Sequence, residues 1–306
     1  STFSSTQSST CSTRLSIHES GRIVAERKSI GFYLASTWIG IVIFLALFGD
    51  MLPLPKYNEY DFDHAGVGLF SGKHILGTDL DGIDILSAII HGTRLSLLIS
   101  FSCVAIGMLI GGALGIIAAY RRGWVDSAIT MYFNVTLSIP NLILTFAMVA
   151  VLSSPAPGSP SGRIPRVLVL IISLTFALIP ILGRLARSSA LSWTGREFVQ
   201  VAESIGMKKR GIMWNHIVPN VVPSMMSVGF LAAGVIIVIE GGLAILGVGT
   251  EPGSSWGSLL AKNRPQINDC PMAVLLPAIA VALTVMALNY YGDYFRKRID
   301  NRESRI

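Results

Sequence analysis

The sequence predicts an all-α membrane protein with six transmembrane helices and both termini in the cytosol. Hydrophobic residues make up 51% of the chain and charged residues only 14%, whereas about a quarter of the residues in a soluble domain are charged. The charged residues bracket six long uncharged windows, and lysines and arginines concentrate between alternate windows. These three observations exclude a soluble globular domain.

Each of the six windows approaches the roughly 20 residues that a helix needs to cross about 30 Å of hydrocarbon. The windows are residues 29–49, 95–120, 127–152, 167–183, 221–239 and 270–292. The fourth is the shortest, and Arg184 at its end can extend its side chain to the interface. The predicted order is a disordered Ser/Thr-rich cytosolic segment 1–28, a first helix 29–49, an extracytoplasmic loop 50–94, a core 95–295 of five helices with a cytosolic segment 184–220, and a cytosolic tail 296–306.

The lysines and arginines set the orientation, because short cytosolic loops retain positive charge. With the N-terminus inside, 17 of the 24 basic residues fall on the cytosolic side. The outer side carries a run of acidic residues between positions 50 and 84. This bias accounts for the net charge of +6, so the charge is weak evidence for a nucleic-acid partner.

Small residues and a proline mark the second and third windows. Gly107, Gly111 and Gly115 recur every four residues, which places them on one helix face and predicts close approach of a second helix. Pro140 lies inside the third window, where its missing N–H and its ring predict a kink.

A polar stripe surrounds this proline. Its members recur at i, i+4, i+7 and i+11 and would share one face of a continuous helix; they are Asn134, Ser138, Asn141 and Thr145. Two interpretations stay open, namely hydrogen bonds between helices and the wall of a water-filled substrate pathway.

Glu240 is an acidic residue inside a long apolar run, near the outer end of the fifth window. A carboxylate at membrane depth is costly unless it faces protein or water. It therefore either lines or gates a pathway, or caps the outer end of the helix by bonding loop amides. The loop that follows is dense in turn formers, which predicts a compact loop with Trp256 at the membrane interface.

No catalytic constellation is evident. The motifs HExxH and GxSxG are absent, and the five histidines have no carboxylate or cysteine at ligand spacing. Cys11, Cys103 and Cys270 show neither metal nor disulfide spacing. The ATP-binding loop GxxxxGK[ST] is missing as well, so we expect no catalytic residue, no metal site and no cofactor bound by the chain itself.

Residues 197–207 predict a short amphipathic helix on the cytosolic side. Its apolar face is made by Phe198, Val201, Ala202 and Ile205. Its polar face is made by Glu197, Gln200, Glu203 and Ser204. Gly206 can close the helix, because glycine tolerates the left-handed conformation. The helix either lies flat on lipid or fits a groove in a protein; its small apolar face and acidic polar face favour the groove.

This segment resembles a motif of a known family. Gln200-Val201-Ala202, three residues, Gly206, nine residues and then His216-Ile217-Val218-Pro219 are similar to the EAA loop, E-A-A-x3-G-x9-I-x-L-P, of bacterial ABC-importer permeases. Seven further segments, spread over about residues 30–300, resemble the C-type permease subunits of dipeptide and oligopeptide importers. They are GTDLDGIDIL at 77–86, GTRLSLLIS at 92–100, RRGWVDSAI at 121–129, SIPNLIL at 138–144, LAILGVG at 243–249 after Glu240, SSWGSLL at 254–260 and LNYYGDYFRKRID at 288–300.

Four positions depart from the family pattern. Gln200 replaces the first Glu of the loop and His216 stands where Ile is usual, while Ile83 replaces an Arg and Lys297 an acidic residue. The first two departures indicate that the shape of the loop and the Gly206 turn matter more than the first carboxylate.

The resemblance implies a permease subunit of a type I importer in the bacterial cytoplasmic membrane, forming half of the pathway for di- or oligopeptides. The implied partners are a second homologous permease, two ATP-binding subunits or domains that hold ATP and Mg, an extracytoplasmic solute-binding protein and membrane lipid, with no nucleic acid. The loop would dock in an ATPase groove with Phe198, Ala202 and Ile205 as buried anchors. The full set of coupling residues is Glu197, Phe198, Gln200, Val201, Ala202, Glu203, Ile205, Gly206, Met207, His216 and Pro219, and the residues expected to face the binding protein are Asp79, Asp81, Asp84 and Trp256.

Other readings remain open. Related permeases carry other small solutes, such as nickel chelates or glutathione. An ion-coupled secondary transporter, suggested by Glu240 and Pro140, would show internal repeats and paired broken helices, and no convincing repeat is evident. An intramembrane enzyme would need a nucleophile–base or metal pair.

Overall fold

The computed structural model of the chain describes residues 30–55, 59–71, 73–153 and 164–303, so the predicted segment 1–28 lies outside it. The described residues form helices almost throughout, with isolated β-bridges at Ser71/His74 and Thr78/Asp84. Among them, five helices are long and apolar enough to cross a membrane, and a bent pair can supply a sixth span. The predicted all-α fold with six spans is confirmed.

The helices are numbered in chain order. They are α1 Ile30–Phe48, α2 Ile85–Arg121, α3 Gly123–Leu137, α4 Asn141–Ser153, α5 Arg166–Thr194, α6 Glu197–Ser204, α7 Lys209–Ile212, α8 Val218–Ile245, α9 Trp256–Asn263 and α10 Met272–Glu303. A π-helical turn, Met213–Ile217, joins α7 to α8, so that Lys209–Ile245 forms one span.

Several spans extend beyond the predicted windows. α2 begins at Ile85 because the Asp84 carboxylate caps it, accepting a hydrogen bond from the Ser87 backbone N–H at 2.8 Å. The exposed Arg94 lies within this helix and does not end it. α5 continues past Arg184 to Thr194, and α10 continues past residue 292 to Glu303. A charge therefore marks the edge of the membrane window, but it does not end the helix.

The centre of the fold is the contact between α2 and α5, the most extensive helix pair in the described chain. A Cβ at Gly111 would lie 2.5 Å from the Ile179 carbonyl oxygen, and one at Gly115 would overlap the Gly183 carbonyl oxygen. The two backbones thus approach along the glycine face of α2, and the predicted close approach is confirmed.

The third span is broken rather than kinked. α3 and α4 meet at 89°. α3 ends at Leu137, and the N–H of its C-cap Ser138 donates to the Asn134 carbonyl oxygen at 3.0 Å. α4 begins after Pro140, whose carbonyl oxygen accepts from the Leu144 N–H at 3.0 Å. Pro140 has no N–H and so cannot continue the backbone hydrogen bonds of α3. The break in the span therefore lies at this residue.

Candidate functional site

α6 is a separate short helix on the predicted cytosolic side, closed by a glycine turn. Gly206 has φ +79°, and the Met207 N–H donates to the Ala202 carbonyl oxygen at 3.1 Å. This six-to-one hydrogen bond after a left-handed residue is the Schellman arrangement. The turn predicted at Gly206 is therefore present, and the chain leaves it with Lys208 as the N-cap of α7.

The inner face of α6 packs against its own chain. Val199 and Ala202 are 3% and 5% exposed, and the Phe198 ring lies 6.1 Å from the Trp193 ring and 5.9 Å from the His216 ring. The prediction that Ala202 enters a partner's groove is wrong for this arrangement, and the half-buried Phe198 already contacts two rings of its own chain. Helical periodicity identifies an apolar face but does not say which surface covers it. Val199 was missed, although it lies three residues before Ala202 on the same face.

The outer face of α6 carries the predicted coupling residues that remain accessible. Val201 is 59% exposed and Ile205 77% exposed, while Met207, just after the glycine turn, is 37% exposed. Glu197 and Gln200 are exposed as well, and the side chain of Glu203 lies outside the described atoms. Val201 and Ile205 thus form an exposed apolar pair on an otherwise polar helix face.

The π-helical turn between α7 and α8 also contacts α6. His216 lies in this turn and contacts Phe198, and the Asn220 amide donates to the His216 carbonyl oxygen at 2.6 Å. Pro219 is exposed in the first turn of α8, where its missing N–H does little harm. Single π turns inside helices occur frequently at functional sites. Phe198 and His216 therefore place α6 in contact with the turn that leads into α8.

The polar stripe is divided between two helices by the 89° bend. Asn134 is exposed, and its side-chain oxygen accepts from the Arg184 guanidinium at 2.8 Å. Ser138 is also exposed, with its hydroxyl bonded to the Asn134 carbonyl oxygen. Asn141 is half-buried, and Thr145 is 1% exposed and bonded to the Asn141 carbonyl oxygen. The single stripe expected of a continuous helix is absent, and Thr145 lines no open surface of this chain.

Glu240 is 1% exposed and holds the outer end of α8 against α9. Its Oε1 accepts from the Ser255 hydroxyl at 2.7 Å, and Ser255 caps α9 in a capping box with Ser258. Gly257 presses against the same carboxylate, because a Cβ there would overlap Glu240 Oε2. Of the two interpretations, the geometry favours a structural role over a pathway, but Glu240 accepts from the Ser255 hydroxyl and does not cap the end of α8 through loop amides.

Two of the outer acidic residues are buried and bonded to other residues of the same chain. Asp79 is 1% exposed and accepts from the Ile83 backbone N–H at 2.8 Å and from Lys262 at 3.1 Å. Asp84 is 3% exposed and bonds His74 at 2.9 Å while it caps α2. The prediction that both face a binding protein is wrong, because their partners lie within the chain.

Trp256 is buried as well, at 1% exposure. Its ring N–H donates to the Ile89 carbonyl oxygen at 2.9 Å and its backbone N–H to Ser96 at 3.0 Å. The prediction that Trp256 faces the binding protein is wrong, since the indole is buried and anchors α9 to α2. Asp81, 44% exposed at its side chain, is the member of the predicted outer set that stays accessible.

Lys262 joins these acidic residues across the outer surface, lying 2.8 Å from Asp81 and 3.1 Å from Asp79. Burial alone would lower the pKa of Lys262, but the hydrogen bond to Asp81 and the charge and hydrogen bond of Asp79 more than offset this and raise it. Because the pKa of Lys262 is raised, its contribution to stability is fully present below the ordinary lysine pKa and is lost as the pH rises above that value. The outer loop therefore stays tied to α9 throughout the neutral range.

A family model described as the binding-protein-dependent transport system inner membrane component matches residues 111–305. The chain belongs to this family. The matched residues include the α6 segment, the π turn, α8 and the Glu240–Ser255 contact, so the candidate coupling site lies within the part that the family shares.

Individual members of the family resemble nearly the whole chain. The dipeptide transport system permease protein DppC of Alkalihalophilus pseudofirmus is 33% identical over 84% of this chain and 81% of its own length. The glutathione transport system permease protein GsiD of Pectobacterium atrosepticum is 30% identical over 87% of this chain and 85% of its own.

The fold also matches that of a solved transporter. A chain of the inward-facing MetNI methionine ABC transporter aligns over 70% of this chain and 97% of its own, with a TM-score of 0.55 and 16% identity. That identity supports the fold alone. With the family established, the chain is a permease subunit of an ABC importer, a multi-pass component of the bacterial inner membrane and not an enzyme, and ATP hydrolysis belongs to a separate subunit.

Proposed function

We propose that this chain forms half of the translocation pathway of an ATP-driven importer for di- or oligopeptides. The proposed substrate class is supported by the similarity to DppC, which extends along 84% of the chain. DppC is named for dipeptide transport. The likeness to GsiD supports glutathione, itself a small peptide, as the second candidate.

The importer would be completed by a second homologous permease, by two ATP-binding subunits or domains that hold ATP and Mg, and by an extracytoplasmic solute-binding protein. The exposed outer face of α6 is the surface that we assign to the ATPase. Its apolar pair, Val201 and Ile205, is 59% and 77% exposed. Two apolar side chains on a short polar helix fit a groove in a protein better than the flat surface of a membrane.

Coupling would then be mechanical. Closure of the ATPases on ATP would move α6 as a rigid body, because the glycine turn at its C-terminal end and the buried Val199 and Ala202 fix its direction. The contacts of Phe198 with Trp193 and His216 link that motion to α5 and to the start of α8. α8 and α5 would carry it to the outer end of the bundle.

Ile205→Asp is expected to detach the ATPase subunits from the purified complex and to lower ATP-driven uptake at least about tenfold. Burying an unpaired carboxylate in an apolar groove costs several kcal/mol, and about 1.4 kcal/mol is enough for a tenfold loss of affinity. Because Ile205 is 77% exposed, the isolated subunit should fold as before. The measurement is co-purification of the ATPases from detergent, with uptake assayed in proteoliposomes.

Leu69→Asp is the matched control, since Leu69 is an exposed apolar residue, 41% accessible, on the opposite side of the membrane. It should leave co-purification unchanged. Wild-type co-purification and uptake by the Ile205→Asp complex would remove α6 from the docking surface.

We assign the part of the polar stripe beside the α3–α4 break to the pathway. This part consists of the exposed Asn134 and Ser138 and the half-buried Asn141. Cysteines placed at these positions should react with water-soluble thiol reagents during turnover, whereas a cysteine at the buried Thr145 should not. Uniform resistance would make the stripe a packing surface.

The substrate class is tested with the complete importer in proteoliposomes, supplied with its solute-binding protein and with ATP inside. We expect uptake of a labelled dipeptide to exceed uptake of labelled glutathione and to stop when ATP is withheld. Preferred uptake of glutathione would select the second candidate. Uptake that needs an ion gradient but no ATP would overturn the proposal.

A further inference from the structure

A cleft of about 110 Å³ opens where the outer ends of α4 and α5 meet the segment that follows α8. Val149 and Ser153 on α4 form one wall, Arg166 at the first position of α5 forms the second, and Gly247 and Val248 form the third. By the charge-based orientation this is the extracytoplasmic side, where the solute arrives. None of the described residues that line the cleft is acidic.

The third wall is held rigidly. α8 ends in a second Schellman turn, in which Gly247 has φ +81° and the Val248 N–H donates to the Leu243 carbonyl oxygen at 3.0 Å. A Cβ at Gly249 would lie 2.6 Å from Ala244 Cα, so the chain folds back tightly on the helix end. Gly247 and Val248, which line the cleft, are thereby held in place at the end of α8.

Arg166 brings a positive charge to an otherwise apolar cavity. Its side chain is exposed and makes no hydrogen bond or ion pair with any other described residue, and the Ser153 hydroxyl opposite is equally free within that part of the chain. Arg184 and Arg187, farther along the same helix, are instead bonded to Asn134 and Asp126. A planar guanidinium can donate two parallel hydrogen bonds to a carboxylate, which makes arginine the side chain best matched to that group.

We propose that this cleft is a subsite for the terminal carboxylate of the imported solute at the outer mouth of the pathway, with Arg166 as its counter-charge and Ser153 as a hydrogen-bond donor. The inference rests on the proposed peptide substrate. We assign the cleft of about 110 Å³ to one end of the solute, its carboxylate, and not to the whole molecule. Apolar walls around one well-placed polar group are typical of small-molecule sites.

The test uses the complete importer carrying Ala150→Cys, at an exposed residue that lines the cleft, in a background in which Cys11, Cys103 and Cys270 are replaced by serine. The rates at which this cysteine reacts with an anionic and with a cationic methanethiosulfonate reagent report the charge in the cleft. With Arg166 present the anionic reagent should react faster, and Arg166→Gln should lower the anionic-to-cationic rate ratio about tenfold, as expected for the loss of one nearby charge. Arg166→Lys should keep most of the ratio. Arg264→Gln, an exposed arginine of the outer surface outside the cleft, should leave it unchanged.

Ligand specificity is then measured by protection of the same cysteine. Acetate should slow the reaction, whereas chloride at equal ionic strength should not, and a dipeptide with a free carboxylate should protect better than the same dipeptide with a C-terminal amide. Equal protection by acetate and chloride, or by the acid and the amide, overturns the carboxylate assignment, and so does a rate ratio that Arg166→Gln leaves unchanged. If the wild-type importer takes up no dipeptide, the proposed function fails, while the acetate measurement still decides whether the cleft binds a carboxylate.

Discussion

Gly115→Leu is expected to prevent α2 and α5 from packing, and so to abolish both the yield of folded subunit and ATP-driven uptake. A Cβ at position 115 would overlap the Gly183 carbonyl oxygen, and it would lie 2.8 Å from the Arg187 backbone nitrogen and 2.9 Å from Ala186 Cβ. Two of these three neighbours are backbone atoms, which cannot rotate away as a side chain can.

The size of the effect follows from what would have to move. Overpacking a tight core with extra methylenes costs roughly 1–3 kcal/mol when side chains can adjust. At Gly115 the adjustment is a separation of two helices that form the most extensive contact in the described chain, so we expect a loss at or above the upper end of that range. Gly115→Ala should show the same defect to a smaller degree.

The measurement is the yield and thermal stability of monodisperse subunit extracted in detergent. Gly40→Leu is the matched control, because Gly40 lies in the span α1 and a Cβ there would meet no atom within 4 Å. The control should extract and unfold like the wild type. Normal yield and stability of the Gly115→Leu subunit would mean that α2 and α5 do not approach as closely as the glycine face allows.

Features that depend on neighbouring residues in the chain were predictable from the sequence. The glycine spacing on α2, the interruption at Pro140 and the turn at Gly206 each follow from the conformational rules of one or two residue types. The number of spans follows from the length of the uncharged windows. The angle of the third span did not follow, because a proline ends a hydrogen-bond ladder without fixing the direction of the next helix.

Features that depend on distant partners were not predictable. Asp79 looked like part of an exposed acidic surface, yet Lys262, 183 positions away, pairs with it inside the fold. Trp256 looked like an interfacial aromatic residue, yet it donates to Ile89, 167 positions away. On α6 the apolar pattern was right, but Ala202 faces its own chain and Ile205 faces away. Periodicity gives the face of an element, and only the tertiary arrangement says what covers that face.

Gly257→Ala is expected to lift α9 away from α8 and to lower both the thermal stability of the subunit and its uptake. The added methyl group would overlap Glu240 Oε2 and lie 2.6 Å from Gly241 Cα. The carboxylate is 1% exposed and is held by Ser255, so it has no free space into which to retreat. Displacing α9 would also break the hydrogen bonds that anchor Trp256 to Ile89 and Ser96.

Each broken contact lowers the free energy of unfolding further. Overpacking contributes roughly 1–3 kcal/mol, and each buried polar group left without its partner contributes about 1–3 kcal/mol more. A lower unfolding midpoint in detergent should therefore accompany a reduction in uptake of at least about tenfold, given that 1.4 kcal/mol corresponds to a factor of ten. Gly242→Ala is the control, since it lies two residues from Glu240 and a Cβ there would meet no atom within 4 Å.

A double variant separates the carboxylate contact from a general effect on the loop. Glu240→Ala removes the group that the new methyl would strike, so adding it to Gly257→Ala should cost less stability than Glu240→Ala costs in the wild type. Residues in contact show such non-additivity, whereas independent sites simply add. Strict additivity of the two changes in unfolding free energy would show that Gly257 does not seat α9 on the Glu240 carboxylate, and the role assigned to Glu240 in holding α9 against α8 would have to be withdrawn.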